Sequence, residues 1–302
     1  MRLASVITCS VLSACTTEAL DPPTGPIERY VISAQQLPKT NVGAREHGLD
    51  LNGDKTPDNQ LGMIMPLLAD RGMSPATGAE ALIDRGDILM LVQLQRAEPG
   101  ADDTLAFSLY EGANPSITPC ADELDAVCRR HLQGDAQFDV VETTDPLVSP
   151  NAERPVIGPG SLTVAFGFFG EPVQLELLGA RARILEATGT TMRGTIGGAI
   201  TRADIENKLV PPFQRALEQL VAAQCTLVGP PACGCATTTD EYDARYWLGS
   251  FDVAPKDCVI TAEEIVKSSI VISLTSPDVA IDGEHLLSFG FGFEAVAAAF
   301  EP

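Results

Sequence analysis

Leu287-Ser288-Phe289-Gly290-Phe291-Gly292-Phe293-Glu294 is the stretch whose reading decides the fold. Every second position carries a large apolar side chain, and the positions between carry serine, glycine or glutamate. Successive side chains of a strand point to opposite faces. The alternation therefore puts Leu287, Phe289, Phe291 and Phe293 on one buried face and small or polar residues on the other. The same period of two recurs upstream, in Ile88, Met90, Val92 and Leu94, in Leu162, Val164, Phe166 and Phe168, and in Val173, Leu175 and Leu177. A further β-type segment, Tyr30-Val31-Ile32, opens the folded part near Glu28.

Helical patterning predicts segments over Asp58–Asp70 (interrupted by Pro66), Pro75–Ile83, Asp204–Gln224 and Ala262–Ser273. Pro211-Pro212 should break or kink the third, because each proline removes a backbone donor. Beyond it, Phe213, Leu217, Leu220 and Val221 form a core stripe. Strand runs joined by short Gly/Pro turns, with helices at each end, point to an α+β fold: a mostly antiparallel sheet packed with a few helices. Nothing after residue 27 reads as a linker, so residues 28–302 are expected to form one domain. The proline-rich, polar stretch 143–159 reads as an insertion between strands. Gly194-Thr195-Ile196-Gly197-Gly198 reads as a strand end or tight turn.

At 302 residues the chain is long enough to bury a sizeable core. No apolar run after the first fifteen residues reaches the roughly 18 residues a spanning helix needs. Formal charge is −21, from 20 Lys+Arg against 41 Asp+Glu. Such a field repels nucleic acid and anionic lipid headgroups as partners and favours cations.

The chain opens with Met1-Arg2, an apolar run from Leu3 to Leu12, and the small-residue closure Leu12-Ser13-Ala14-Cys15. A positive start, a short apolar core and small residues at the end are the marks of a secretory signal over residues 1–14. The tetrad Leu-Ser-Ala-Cys resembles the bacterial lipobox. That resemblance implies that Cys15 is acylated, palmitate-type chains included, and becomes the new N-terminus. The protein would then be exported and held at the membrane through its lipid anchor. Thr16 rather than aspartate follows the cysteine, which by the same resemblance implies the outer membrane or cell surface. The alternative is a signal cut elsewhere, with Cys15 a spare thiol. Residues 16–27, with three prolines and a glycine, read as an extended tether completing the 15–27 anchor segment.

Cys9 leaves with the signal, and six cysteines remain besides Cys15: Cys120, Cys128, Cys225, Cys233, Cys235 and Cys258. An even count in an exported chain predicts three disulfides. Cys120–Cys128 is expected as a local staple, with the other four pairing among themselves. Cys233-Gly-Cys235 lacks the spacing of a redox or zinc motif.

The run Asp50-Leu51-Asn52-Gly53-Asp54-Lys55-Thr56-Pro57-Asp58-Asn59 carries the clearest chemistry. Asp50, Asn52, Asp54 and Asp58 supply side-chain oxygens at loop positions 1, 3, 5 and 9, and Thr56 stands where a backbone carbonyl would ligate. Calcium takes six to eight oxygens, and this alternation turns them to one side. The loop looks like those of EF-hand, dockerin and thrombospondin-type calcium sites. It departs from them at position 6, where Lys55 replaces glycine, and at position 12, where Leu61 replaces a bidentate acid. A missing ligand implies an affinity on the order of 10⁻⁴ to 10⁻³ M, suited to a structural Ca2+ site outside the cell. The same residues also read as a turn that starts a helix, with Thr56 as cap. A weaker second candidate is Asp257, Thr261 and Glu264, whose Thr261-x-x-Glu264 is also a capping box.

The lipobox, the Asp-x-Asn-Gly-Asp loop and the closing aromatic strand together resemble a group of bacterial lipoproteins with EF-hand-like loops. That resemblance implies export and calcium, and brings no activity with it. No Gly-x-Ser-x-Gly elbow, phosphate-binding loop or histidine pair at zinc spacing occurs, and His47, His131 and His285 read as surface residues. The expected role is a calcium-stabilised structural or binding module of the cell envelope, with no catalytic residues. Two rivals stay open: a carrier of amphiphiles using the Leu287–Phe293 and Leu162–Phe168 faces, and a hydrolase using an acidic pair such as Asp102-Asp103 or Glu263-Glu264.

Overall fold

Ten strands build one antiparallel sheet in the computed structural model, which describes residues 20–98, 104–149, 156–226, 229, 233–236, 241–253 and 255–302. Residues 1–14, Cys15, the first part of the tether and the Asp102-Asp103 pair lie outside the described residues. The strands are β1 (Ile27–Gln36), β2 (Met90–Arg96), β3 (Leu105–Ala113), β4 (Asp139–Glu142), β5 (Leu147–Ser149), β6 (Val156–Phe168), β7 (Glu171–Ala187), β8 (Thr191–Ile200), β9 (Val279–Ile281) and β10 (Glu284–Ala297). Their order is β4-β3-β2-β1-β10-β8-β7-β6, with β5 added to β3 and β9 to β10. The first and last long strands of the chain thus lie side by side, Tyr30 opposite Ala297.

The sheet curls on itself. Phe107 on β3 and Phe293 on β10 stand three places apart in strand order, yet their ring centroids are 6.3 Å apart. Phe166 on β6 reaches Phe289 on β10 at 5.1 Å, and Gln35 on β1 donates from Nε2 to the Ala165 carbonyl on β6 at 2.6 Å. The expected apolar stripes therefore face one another inside the curl and fill it with rings. Right-handed strand twist gives long strands such as β7 and β10 this tendency to coil.

The opposite face of β10, where the alternation puts small or polar residues, is exposed at Glu294 but buried at Ser288, Gly290 and Gly292. A Cβ at Gly290 would lie 2.4 Å from the His47 carbonyl oxygen, and one at Gly292 would lie 2.5 Å from the His47 ring. Glycine stands there because a backbone segment docks on the strand, not because solvent does. Leu49, Leu51, Ala199, Val279 and Leu286 form a second small core on this outer side. Gly194, read from sequence as a strand end, lies within β8, where any Cβ would meet the Arg183 carbonyl at 2.5 Å and the Phe293 ring at 2.9 Å. The aromatic stripe and the glycines are thus two halves of one packing arrangement.

The helices gather at one end of the sheet. α1 (Asn41–Glu46), α2 (Gln60–Ala69) and α3 (Ala79–Asp84) fill the connection from β1 to β2. α4 (Arg202–Asp204), a π-helical turn at Ile205–Leu209, α5 (Val210–Gln224), α6 (Ala244–Phe251), α7 (Ala262–Lys267) and α8 (Ser269–Leu274) fill the connection from β8 to β10. Gln36 ends β1 opposite Gly292, and Ile200 ends β8 opposite Leu287, so both connections leave toward the start of β10. α2 runs through Pro66 without a break. Pro211 and Pro212 fall in the first turn of α5, where a missing N–H costs little, and the change of helical register falls on the π turn before them. The segment expected over 262–273 divides at Ser268, whose extended backbone ends α7 and whose hydroxyl caps α8. α1 and α6 were not expected; α6 starts where the Asp243 carboxylate accepts from the Arg245 and Tyr246 amides.

Three disulfides join Cys120–Cys128, Cys225–Cys235 and Cys233–Cys258. The local staple is as expected, and the remaining four cysteines pair among themselves.

Candidate functional site

The Asp50–Asp58 loop hangs on the outside of the sheet. Leu49 and Asp58 bridge its ends, and Arg181 and Arg183 of β7 donate to the carbonyls of Leu51 and Glu46. Lys55 takes the left-handed conformation (φ 71°) that a calcium loop normally gives to glycine at this position. Its neighbours brace the turn. Asp50 accepts from the amides of Gly53 and Lys55, Asn52 from that of Asp54, Asp54 from that of Thr56, and Asp58 from that of Leu51. The side chains expected as ligands thus lie in one turn, each carboxylate bonded to the loop's own backbone. Burial raises the Asp58 pKa above the ordinary carboxylate value, and the charges of Asp278 and Asp54 push it the same way. The all-oxygen donor set suits a hard cation, whose charge would relieve that repulsion. To ligate together, the carboxylates would have to turn from the amides they hold. Among the described residues, the one trio of His, Cys, Asp or Glu ligand atoms within 4.8 Å of one another is Cys233, Asp252 and Cys258. Two of these sulfurs are joined in a disulfide, which leaves no thiolate for a metal.

In the second candidate segment, Thr261 and Glu264 form the full capping box of α7. Glu264 also accepts from the Val253 amide, and Asp257 from that of Val259. Asp252, 3% exposed, organises this turn by accepting from the amides of Asp257 and Cys258. Glu263 of the proposed acidic pair bonds Lys267, and its pKa is lowered by that contact. His285 is exposed, as expected, but His131 is wholly buried beside Phe138 and His47 is half-buried against Gly292. Burial pushes both of their pKa values down.

An apolar cleft opens in the helical cap. The Phe289, Phe291 and Phe166 rings pack against one another inside the sheet, on the faces that the carrier reading would use. The cleft, of about 200 Å³, lies between α2, the π turn, α5, α6, α7 and α8. Its floor is aromatic. Phe168, at the end of the β6 stripe, lies against Phe169, and Phe169 against Phe213 (5.4 Å). Phe213 in turn packs edge-on against Trp247 (6.1 Å) and Phe251 (5.8 Å), which stack on each other. Leu61 and Ile64 of α2 and Val271 and Leu274 of α8 supply aliphatic walls. Arg71, just past α2, is the single charged side chain lining the cleft among the described residues. Its guanidinium lies 5.6 Å from the Tyr242 ring centroid and donates to the Leu67 carbonyl.

The α5 part of this lining was legible as the Phe213–Val221 stripe. The α6 part was missed, although Trp247 and Phe251 stand four residues apart behind the capping Asp243, which is the spacing of one helix face. No family model, no curated protein and no solved structure matches the chain.

Proposed function

We propose that the chain is an exported, lipid-anchored binding module of the cell envelope, displayed at the outer membrane, that holds a small apolar ligand in the cleft of its helical cap. The observation that carries this reading is the cleft itself, which is concave, lined by aromatic and aliphatic side chains, and edged by one cation and a few polar groups. That is the usual make-up of a small-molecule site. The anchor rests on the lipobox-like Leu12–Cys15 and the tether behind it. Calcium at Asp50, Asn52, Asp54, Thr56 and Asp58 belongs to the same proposal as a structural brace, supported by the oxygen donors gathered in one turn and by the left-handed Lys55 at the position a calcium loop gives to glycine. No residue is assigned a catalytic role.

The test uses the chain's single tryptophan, since Trp247 lines the cleft. Full chain carrying Cys15→Ser should leave the membrane fraction, and its tryptophan emission should shift saturably on titration with 1-octanol, a neutral apolar probe. Unchanged membrane partitioning would remove the anchor, and an emission that drifts without saturating would remove the binding site.

A further inference from the structure

Resting on the reading of the cleft as a binding site, we infer that its ligand is a free fatty acid: one acyl chain in the apolar cleft, its carboxylate held by Arg71. The volume sets the first limit. Drug-sized ligands occupy roughly 300–1,000 Å³, and a dry apolar cavity of about 150 Å³ takes a single benzene ring. About 200 Å³ therefore admits one short or medium chain and excludes a two-chain phospholipid.

Charge sets the second limit. In a chain with 41 acidic residues, Arg71 has no carboxylate within 4.0 Å among the described residues. Its nearest polar commitment is one bond to the Leu67 carbonyl, which leaves most of the guanidinium's five donors unused. Other arginines near the cap are already engaged: Arg202 with Glu206 and Thr275, Arg215 with Glu171, and Arg245 with Asp243. Stacking over Tyr242 holds the Arg71 guanidinium at the cleft. Among the described residues, an otherwise apolar slot with one guanidinium free of any carboxylate matches an amphiphile with a carboxylate head.

The wall beside it is thin. α8 buries none of its residues, and Ile270, which lines the cleft, is 41% exposed. A chain sliding past α8 would cover this aliphatic surface while its head group meets Arg71.

Octanoate and methyl octanoate distinguish the elements of the proposal, read by Trp247 emission in full chain carrying Cys15→Ser. The acid should bind at least about tenfold tighter than the ester, the range expected of a charge-assisted hydrogen bond. Arg71→Met, which keeps the packing of the stem, should abolish that preference, while Arg71→Lys should keep part of it. Equal affinity for acid and ester in the unsubstituted cleft would overturn the fatty-acid assignment while leaving an apolar binding site. Binding of neither would instead overturn the reading of the cleft. The acid-to-ester comparison needs no substitution at Arg71, so it decides the matter even if the Arg71 variants fold poorly.

Discussion

Asn59 is the residue by which the loop and α2 are bolted to the sheet, and its replacement by alanine gives the sharpest test of the fold described above. The side chain is 5% exposed and all four of its hydrogen-bonding positions are filled. Its Nδ2 donates to the carbonyls of Ala44 and Gly290, both at 2.9 Å. Its Oδ1 accepts from the Gly290 amide at 2.9 Å and from the Gly62 amide, the first turn of α2, at 3.0 Å. Asn59→Ala would strand the Gly290 amide and two carbonyls in a buried place and remove a helix cap. A buried polar group left unpaired costs about 1–3 kcal/mol, and a lost cap about 1 kcal/mol. Some relaxation and water entry offset the sum, so about 3–5 kcal/mol is expected. For a chain of this size that corresponds to a Tm lower by about 5–8 °C. Asn59→Asp keeps the shape and the acceptor but turns two donors into a charged oxygen facing two carbonyls, so it should be at least as damaging. Urea unfolding followed by circular dichroism measures both. A loss below about 1 kcal/mol for the alanine variant would refute the bolt.

Other outcomes follow from the same structure. Burial lowers the pKa of His131 and His47 in the folded chain, so the unfolded chain binds protons first as pH falls. Stability should therefore be full above about pH 6.5 and decline as pH drops from there through the lowered folded values, by at most about 1.4 kcal/mol per pH unit for each histidine. His131→Phe should flatten that slope, and an unchanged slope would show that His131 is not held neutral. Calcium should raise the melting temperature and EDTA reverse it, with Asp58→Asn insensitive to both; identical melts throughout would remove the cation from the loop. Replacing Cys233 and Cys258 together by serine opens a loop with a sequence separation of 25 and should cost about 3.5 kcal/mol in chemical denaturation. A double variant as stable as the parent would mean that the bridge constrains nothing.

Much of the sheet was legible because its cause is local. A period of two is written into each strand, and Leu287–Phe293, Leu162–Phe168 and Ile88–Leu94 all lie within or beside strands with their large residues buried. The outer face misled for a reason the sequence holds only implicitly. Gly290 and Gly292 look like a polar-side filler until His47, distant in the chain, is placed on them, and only long-range docking distinguishes a glycine that faces water from one that faces backbone. Histidine was misjudged in the same way, since nothing near His131 in sequence announces that Phe138 and α3 will enclose it. Helix ends were readable where a cap was present, as at Thr261–Glu264. They were misplaced where two caps divided one apolar run, as at Ser268, or where no cap was sought, as at Asp243. The cleft could not be read at all from any one segment, because its floor combines the end of β6 with α5 and α6 and, among the described residues, its single charge comes from the end of α2.

The two parts of the molecule differ in what stabilises them, and that difference places binding in the cap. The sheet combines hairpin neighbours, β2–β3, β6–β7 and β7–β8, with pairs distant in sequence, β1–β10 and β8–β10, around an interior filled with rings. Within the cap, α6, α7 and α8 have 8, 6 and 6 residues, each far below the length at which a helix persists alone. Two disulfides lie there, tying the end of α5 to Cys235 and the approach to α7 to Cys233, while α8 is left with no buried residue and no bridge. Local opening should therefore be cheapest at α8, and a ligand that enters past it stabilises the element that moved to admit it. The signature of occupancy is then slower amide exchange across residues 262–275 with little change in β7, β8 and β10. Protection spread evenly over the sheet would place the ligand elsewhere.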